Sequence, residues 1–312
     1  MEISILLAEQ ILAMFLTMAV GFGVVRAGLF KTEDSRIISN MVVYICNQCV
    51  VVHSFQIELT DDKIKGLMIA IGLSVVVHMV LIIGSEILSF IFHFNSIEKA
   101  SIIYTNAGYL VIPLVGAVLG EEWVFYTTAF ILVQTVLMWT HGVKLIGQEK
   151  ELNIRKILCN PNVIAMIIGI ALFALEIRLP TVVDSCVSCF GDIISPASMM
   201  VIGMVIGDVD LKWVFRQKRP YLICLLRLIV FPLIAVVAFA GLERSGIHPD
   251  AEYILMIVLI ATSAPAAAMI TQLAQIYGKD SRYASVINVM SVIFCIITMP
   301  VMVLSYEMLI AL

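Results

Sequence analysis

Charged residues are scarce in this chain of 312 residues. They make up 13% of it, whereas hydrophobic residues make up 61%. Soluble domains carry about twice that share of charge, and no single water-soluble core could enclose so much apolar surface. Most of the chain must therefore face lipid. Clusters of basic residues with interleaved aromatic residues are missing, which argues against a nucleic-acid partner.

Motifs of known chemistry are also missing. The chain has no Walker sequence G-x-x-x-x-G-K-[ST] and no recognisable Ser-His-Asp, metal or nucleotide motif, so we do not expect an enzyme. Its two C-x-x-C pairs, at Cys46 and Cys186, lack the further ligands that a zinc site needs, so no metal or other cofactor is expected. The first ten residues lack the basic region of a cleaved signal peptide, so the first apolar run is expected to remain as a span.

The apolar residues form ten runs, and a membrane span needs about 20 residues. The runs lie near Ile5 to Ala27, Ile37 to Phe55, Ile64 to Phe92, Ile97 to Leu119, Trp123 to Leu145, Val163 to Ile177, Val183 to Ile206, Pro220 to Ala240, Ala251 to Tyr277 and Tyr283 to Ile310. A hydrophilic stretch, IGQEKELNIRKILCNPN, separates five runs from five. Because five is odd, the second half must enter the membrane from the opposite face, as in an inverted repeat.

We therefore predict an all-α polytopic membrane protein of ten transmembrane helices. Its first five-helix repeat is 1-146, a cytoplasmic linker is 147-160, and the second, inverted repeat is 161-312. The basic residues agree with this topology: of nineteen, fourteen fall on one face and four on the other, and the remaining one, Arg227, lies well inside a span. Since basic loops stay in the cytoplasm, both termini of this integral protein of the cytoplasmic membrane should lie outside.

Two of the runs are interrupted by helix-breaking residues. Span four contains TNAGYLVIPLVGAVLG from Thr105 to Gly120, with its break expected from Asn106 to Pro113, and span nine contains ATSAPAAAMITQL with Pro265 in its middle. Proline removes a backbone donor, and irregular backbone survives at membrane depth only inside protein or beside a watery cavity. Matched breaks predict a ligand site at which helix N-terminal ends attract an anion and freed carbonyls attract a cation or a donor. One such break alone would more often be a packing kink.

From Asn106 onward the chain resembles the auxin efflux carrier family of membrane transporters. The resemblance rests on the stretches from Thr105 and from Ser263, on NPNVIAMIIGIAL and on ISPASMMVIGMVIG. It implies an inverted-repeat fold related to bile-acid sodium symporters and sodium/proton antiporters, with broken helices 4 and 9 crossing near the midplane. Helices 1, 2, 6 and 7 would form a scaffold that often dimerises, so a homodimer is expected. Helices 3-5 and 8-10 would form a transport domain that moves against the scaffold in an elevator mechanism.

The resemblance also implies where a substrate would bind. Asn106, Pro113 and Pro265 would form the crossing, and Pro196 in span seven would face it. Where the family usually has a proline in span two, this chain has two amides, Asn47 and Gln48. The candidate substrate-binding residues are Asn106, Gly108, Pro113, Ser263, Pro265, Asn47, Gln48, Ser195 and Pro196.

Three ionisable residues in the spans are candidates for a charge pair or for coupling to H+ or Na+. Arg227 and Glu86 lie at similar predicted depth in equivalent spans, so they could pair, although Arg227 could equally extend to the membrane interface. Asp192 is expected either beside the cavity with Ser195 or in outer water. His53, His78 and His141 are each more typical of a hydrogen-bonded packing residue than of a proton carrier.

The sequence thus predicts a secondary transporter or permease that moves a small organic anion, auxin-like or malate-like, by alternating access. Two alternatives remain: a ligand sensor on the same fold that does not transport, and a cation-coupled symporter of the bile-acid type. The sensor is less expected because no soluble signalling domain is appended to the given chain. The expected partners are the substrate, the lipid bilayer and a second copy of the chain.

Overall fold

The computed structural model describes residues 2–147, 155 and 158–311, and within them the secondary structure is helical. The helices are α1 Glu2–Arg26, α2 Thr32–Ser54, α3 Asp61–Phe92, α4 Ser96–Ile103, α5 Ala107–Val118, α6 Glu121–Gly147, α7 Pro161–Ala174, α8 Thr181–Gly207, α9 Leu211–Arg216, α10 Arg219–Glu243, α11 Ala251–Ser263, α12 Met269–Ile276 and α13 Ser281–Ile310. Most of the predicted linker 147-160 lies outside the described residues.

Seven helices of the described part are long and apolar enough to cross a membrane, namely α1, α2, α3, α6, α8, α10 and α13. Three more, α5, α7 and α11, are apolar but shorter. The predicted all-helical membrane fold is therefore confirmed. The ten spans and their inverted repeat stay a prediction.

The ends of the helices follow from residues that satisfy the free backbone groups there. At the start of α4, the Asn95 side chain accepts from the backbone N–H of Glu98, and the Glu98 carboxylate accepts from that of Asn95, both at 2.9 Å. Such a reciprocal cap pairs two donors that the first turn cannot use. The buried Glu98 carboxylate also accepts from Arg219 of α10 and Tyr283 of α13, at 2.7 Å each. This one side chain thus joins three helices at one end of the bundle.

Glycines allow the closest helix contact, between α1 and α8. A Cβ atom added to Gly203 would overlap the backbone carbonyl of Met18, and one added to Gly21 would overlap that of Met200. In a membrane, where lipid is as apolar as the side chains, such close backbone packing is a main source of helix association. Helices α7 and α8 also pack against α2, so α1, α2, α7 and α8 form one contiguous group.

Four described helices contain one wider π turn. These turns are Val42–Cys46 in α2, Ala107–Val111 in α5, Met138–Gly142 in α6 and Leu226–Val230 in α10. In α5 and α10 a proline follows almost at once, at Pro113 and Pro232. A proline cannot donate to the carbonyl one turn before it, so an extra residue in that turn relieves the mismatch.

Candidate functional site

Two helix breaks meet in the middle of the bundle. Residues 104–106 separate α4 from α5, and residues 264–268 separate α11 from α12. The two extended segments run antiparallel, with Thr105 opposite Ala266. Asn106 donates its backbone N–H to the Pro265 carbonyl at 2.8 Å, and Ala267 donates to the Tyr104 carbonyl at 3.0 Å. The break in span four is thus shorter and earlier than its predicted range, Asn106 to Pro113, because the π turn lets the helix resume at Ala107.

Side chains from α6 and α13 hold the outer edges of this crossing. The Gln134 amide accepts from the Thr105 N–H at 2.8 Å and from its hydroxyl at 2.9 Å, and it donates to the Thr105 carbonyl at 2.9 Å. On the other segment, Ala266 donates to Ser291 Oγ at 3.0 Å and accepts from the Asn288 amide at 2.6 Å. Both extended residues are therefore fully hydrogen-bonded, as buried backbone must be.

Arg227 of α10 lies where the first halves of the two broken helices end. Its Nε donates to the Ala264 carbonyl at 3.2 Å and its Nη1 to the Ile102 carbonyl at 3.0 Å. The residue is 0% exposed, so it does not extend to the membrane interface. Negative partial charge gathers at helix C-terminal ends, so the guanidinium compensates two of them at once.

The predicted pair between Glu86 and Arg227 is not formed. Glu86 Oε2 instead accepts from Lys99 Nζ at 2.7 Å. A short turn at His93–Asn95 folds α4 back beside the last turns of α3, so Lys99 reaches Glu86, while Arg227 bonds to carbonyls deeper in the bundle.

The second halves of the broken helices begin at this same crossing. Asn106 stands immediately before α5 and is buried, and its side chain does not cap that helix. The N-terminal end of α5 and that of α12 carry positive partial charge, which favours an anion nearby. Ser263, the last residue of α11, is buried, and its hydroxyl has no partner in the described part of the chain.

Asn47 of α2 approaches the crossing from the neighbouring group of helices. A Cβ atom added to Gly108 would lie 3.4 Å from the Asn47 Nδ2, so the amide lies beside the first turn of α5. The Oδ1 atom of Asn47 is buried without a partner among the described residues. Gln48 is not brought to this place, because one residue further along a helix faces about 100° away. Its Nε2 donates to Asn162 Oδ1 of α7 at 2.8 Å instead.

A cavity of about 250 Å³ opens between α2, α5, α6 and α8. Pro113 and Ser195 line it, as does Asp192, which therefore lies beside the cavity. Pro196 does not face the crossing as predicted: it is exposed on the side of α8 turned away from its buried residues. A second cavity of about 30 Å³ is lined by apolar side chains that include Leu110 and Pro265.

His53 lies in the lining of the cavity between α2, α5, α6 and α8, where two carboxylates flank it. Its Nδ1 is 2.9 Å from Asp184 Oδ1 of α8, and its Nε2 is 3.6 Å from Glu121 Oε2 of α6. The other two histidines are bonded in the interior: His78 Nδ1 donates to the Ser74 carbonyl at 2.7 Å, and His141 Nδ1 pairs with the Tyr104 hydroxyl at 2.8 Å. Of these three histidines, His53 is the one that the described residues place between acids of two further helices.

The residues that hold the crossing were not among those predicted from the sequence. They are Thr105, Gln134, Asn288 and Ser291. A signal existed, since an uncharged amide in the middle of an apolar run is costly unless it is bonded. Within the described residues, no group of three His, Cys, Asp or Glu side chains could hold a metal ion.

Comparison with known proteins gives the family. No curated protein matches the chain. The sequence profile of a family described as membrane transport protein matches residues 6–154 and 149–303, which together span nearly the whole chain. The chain therefore belongs to this family of membrane transport proteins, which confirms its resemblance to the auxin efflux carriers.

Proposed function

We propose that this protein is a secondary transporter, or permease, that moves a small organic anion such as a carboxylate across the cytoplasmic membrane. The observation that carries the proposal is the crossing of two broken helices between Thr105 and Ala266. Broken helices in matching positions of two halves are typical of transporter binding sites. The family is one of transporters rather than of enzymes.

Electrostatics at the crossing favours an anion. The charge of Arg227 is compensated by two helix C-terminal ends and not by an acid, so among the described residues no carboxylate next to it would repel an anion. The N-terminal ends of α5 and α12 add positive partial charge. Among the described residues next to these elements, Asn106 and Asn47 offer amides that can donate to a carboxylate.

The cavity between α2, α5, α6 and α8 is proposed as the route to this site. Pro113 of α5 and Ser195 of α8 form part of its wall, but Glu121 and Asp192 give its lining a negative character. An anion would therefore be held deeper, near the crossing and Arg227, and only pass through the cavity.

Alternating access would follow from movement of one group of helices against the other. We propose that α1, α2, α7 and α8 are the scaffold, and that the two broken helices move with α3, α6, α10 and α13. Gly108 and Asn47 lie on opposite sides of the proposed boundary, so their contact should change during transport. The inverted repeat and a homodimer built through the scaffold are part of this proposal.

A binding screen on the purified protein would identify the substrate class. Melting temperature would be measured with carboxylates, amino acids and indole acids, with and without sodium and at two pH values. A ligand that binds the folded state raises apparent stability by mass action. A hit that is then taken up by proteoliposomes supports a transporter, whereas one that binds and is never taken up supports the ligand sensor.

The role of Asn106 can be tested with the substrate found in this way. Losing its amide should cost about 1 to 3 kcal/mol of affinity, or roughly one to two decades. Asn106→Ala should therefore weaken uptake strongly while its melting temperature stays close to that of the wild type. The matched control is Asn40→Ala, which changes an exposed asparagine of α2.

Pro265→Ala should fail differently, because a continuous helix would remove the oriented ends at the crossing. We expect a protein that is at least as stable as the wild type but inactive. Uptake by Asn106→Ala at the wild-type rate and apparent affinity would show that the break is a packing kink and not a substrate site.

A further inference from the structure

The carbonyl groups of the crossing already have donors from the protein. Arg227 donates to two of them, at the C-terminal ends of α4 and α11. The remaining carbonyls with a hydrogen bond inside the crossing are those of Tyr104, Thr105, Ser263, Pro265 and Ala266. Broken helices are the place where a transporter binds a coupling ion such as Na+, through freed carbonyls and helix C-terminal ends. In this protein each of those oxygens has a donor from the chain, the weakest being the Cys295 thiol at 3.6 Å from the Ser263 carbonyl.

We propose that the guanidinium of Arg227 is a resident cation, which takes the place of a mobile sodium ion at the C-terminal ends of the two broken helices. An arginine side chain stays protonated at any physiological pH, so the positive charge is permanent. Its planar fork reaches two carbonyls on different helices, which a single ammonium group could do less well. The residue is therefore a positioning residue for the crossing.

Other roles for Arg227 agree less well with its surroundings. An arginine that extends to the membrane–water interface exposes its guanidinium, whereas Arg227 is 0% exposed. An ordinary buried ion pair needs an acid, and the described residues place none against it. A buried charge without compensation would be very unfavourable. The two helix ends are the compensation that the structure provides, while Nη2 keeps no partner in the described part of the chain.

A resident cation changes how transport can be driven. If the cation at the crossing is part of the protein, movement of the crossing carries no sodium ion bound at this place, and a sodium gradient cannot drive transport through it. This consequence for transport rests on the function proposed above. Whether the protein has a sodium site does not depend on that function, because sodium binding can be measured without any substrate.

The test compares the melting temperature of the purified protein in NaCl and in KCl of equal concentration. The wild type should melt at the same temperature in both salts. Arg227→Gln leaves two carbonyls at helix C-terminal ends without their cation, so it should melt lower in KCl. Na+ should raise its melting temperature by at least about 2 °C in a saturable way. Arg227→Lys keeps a positive charge and should remain insensitive to the choice of salt.

The matched control is Arg244→Gln. Arg244 also donates to a backbone carbonyl, that of Leu309 at 2.8 Å, but it is exposed, lies just after the end of α10 and contacts neither break. This variant should show no sodium effect.

A saturable sodium effect on the wild type, or none on a folded Arg227→Gln, would overturn the inference. If Arg227→Gln does not accumulate in membranes, the sodium titration of the wild type still shows whether the protein binds sodium or has a resident cation in its place. Failure of anion uptake would count against the proposed function and leave the result on sodium unchanged.

Discussion

Replacing Gln134 by methionine should loosen the helix crossing, because this side chain of α6 bonds directly to the extended segment at Thr105. The Gln134 amide makes three hydrogen bonds to Thr105, at 2.8 Å, 2.9 Å and 2.9 Å. Methionine has a similar volume and fits apolar surroundings, so the substitution removes these bonds without opening a large cavity. What remains is a backbone N–H and a carbonyl of Thr105 buried without their partner.

The expected loss can be worked out from these contacts. Hydrogen bonds between side chains of membrane helices contribute about 0.6 kcal/mol each on average, and those in soluble proteins about 1 kcal/mol. A buried backbone group without a partner adds a penalty of roughly 1 to 3 kcal/mol. Partial relaxation of the segment will recover some of this, so we expect a total loss of about 2 to 5 kcal/mol. The melting temperature should fall by roughly 5 to 15 °C.

The measurement is thermal unfolding of the detergent-purified protein without substrate. Gln275→Met is the matched control, since Gln275 is an exposed glutamine of α12, and it should melt close to the wild type. Thr105→Val removes only the hydroxyl bond and should cost about 1 kcal/mol.

A double-mutant cycle then isolates the contact between Gln134 and Thr105. In the background of Gln134→Met, the change Thr105→Val should have almost no further effect, because its hydrogen bond is already lost. A melting temperature of Gln134→Met within about 1 °C of the control would refute the reasoning, as would full additivity of the two changes.

Two further predictions concern the cavity and the topology. His53 of α2 lies 2.9 Å from Asp184 and 3.6 Å from Glu121, so its ring joins α2 to two further helices beside the cavity. His53→Ala removes both contacts and should cost about 1 kcal/mol, or roughly 2 to 4 °C in melting temperature, and a melting temperature equal to that of the wild type would show that these contacts do not hold the helices together. A cysteine placed at Gln148, with native cysteines controlled, should resist an impermeant thiol reagent in intact cells. Ready labelling would rule out the predicted cytoplasmic loop.

Much of the helical layout could be predicted from the sequence, because a membrane demands long apolar runs and the breaks contain residues that cannot continue a helix. The ends of the predicted runs agree with the helices to within a few residues, as for Asp61–Phe92 against the predicted Ile64 to Phe92. Pro265 and the stretch from Thr105 identified the two interrupted helices.

Partners across the bundle could not be predicted in the same way. Depth alone suggested that Glu86 would meet Arg227, but a tight turn after α3 provided Lys99 as a nearer partner. Side-chain direction was equally hidden for Pro196, because a rotation of one residue about the axis of α8 decides whether a position faces the cavity or the outside. In α2, α5, α6 and α10 a π turn adds a residue and changes the direction of the side chains after it, without any fixed sequence signal.

The hydrogen bonds at the crossing also bear on where ligand selectivity resides. The sequence suggested that the breaks would leave backbone carbonyls free to bind a ligand or an ion, yet Gln134, Asn288 and Arg227 use several of them. A ligand at this place must then be recognised mainly by side chains and by the fields of the helix ends. The crossing can stay constant while the groups around it, such as Asn47 and Asn106, change. Substitutions at these two amides should therefore change the ratio of affinities for different substrates. Substitutions at Gln134 should lower the stability of the protein and affect the uptake of every substrate to the same extent.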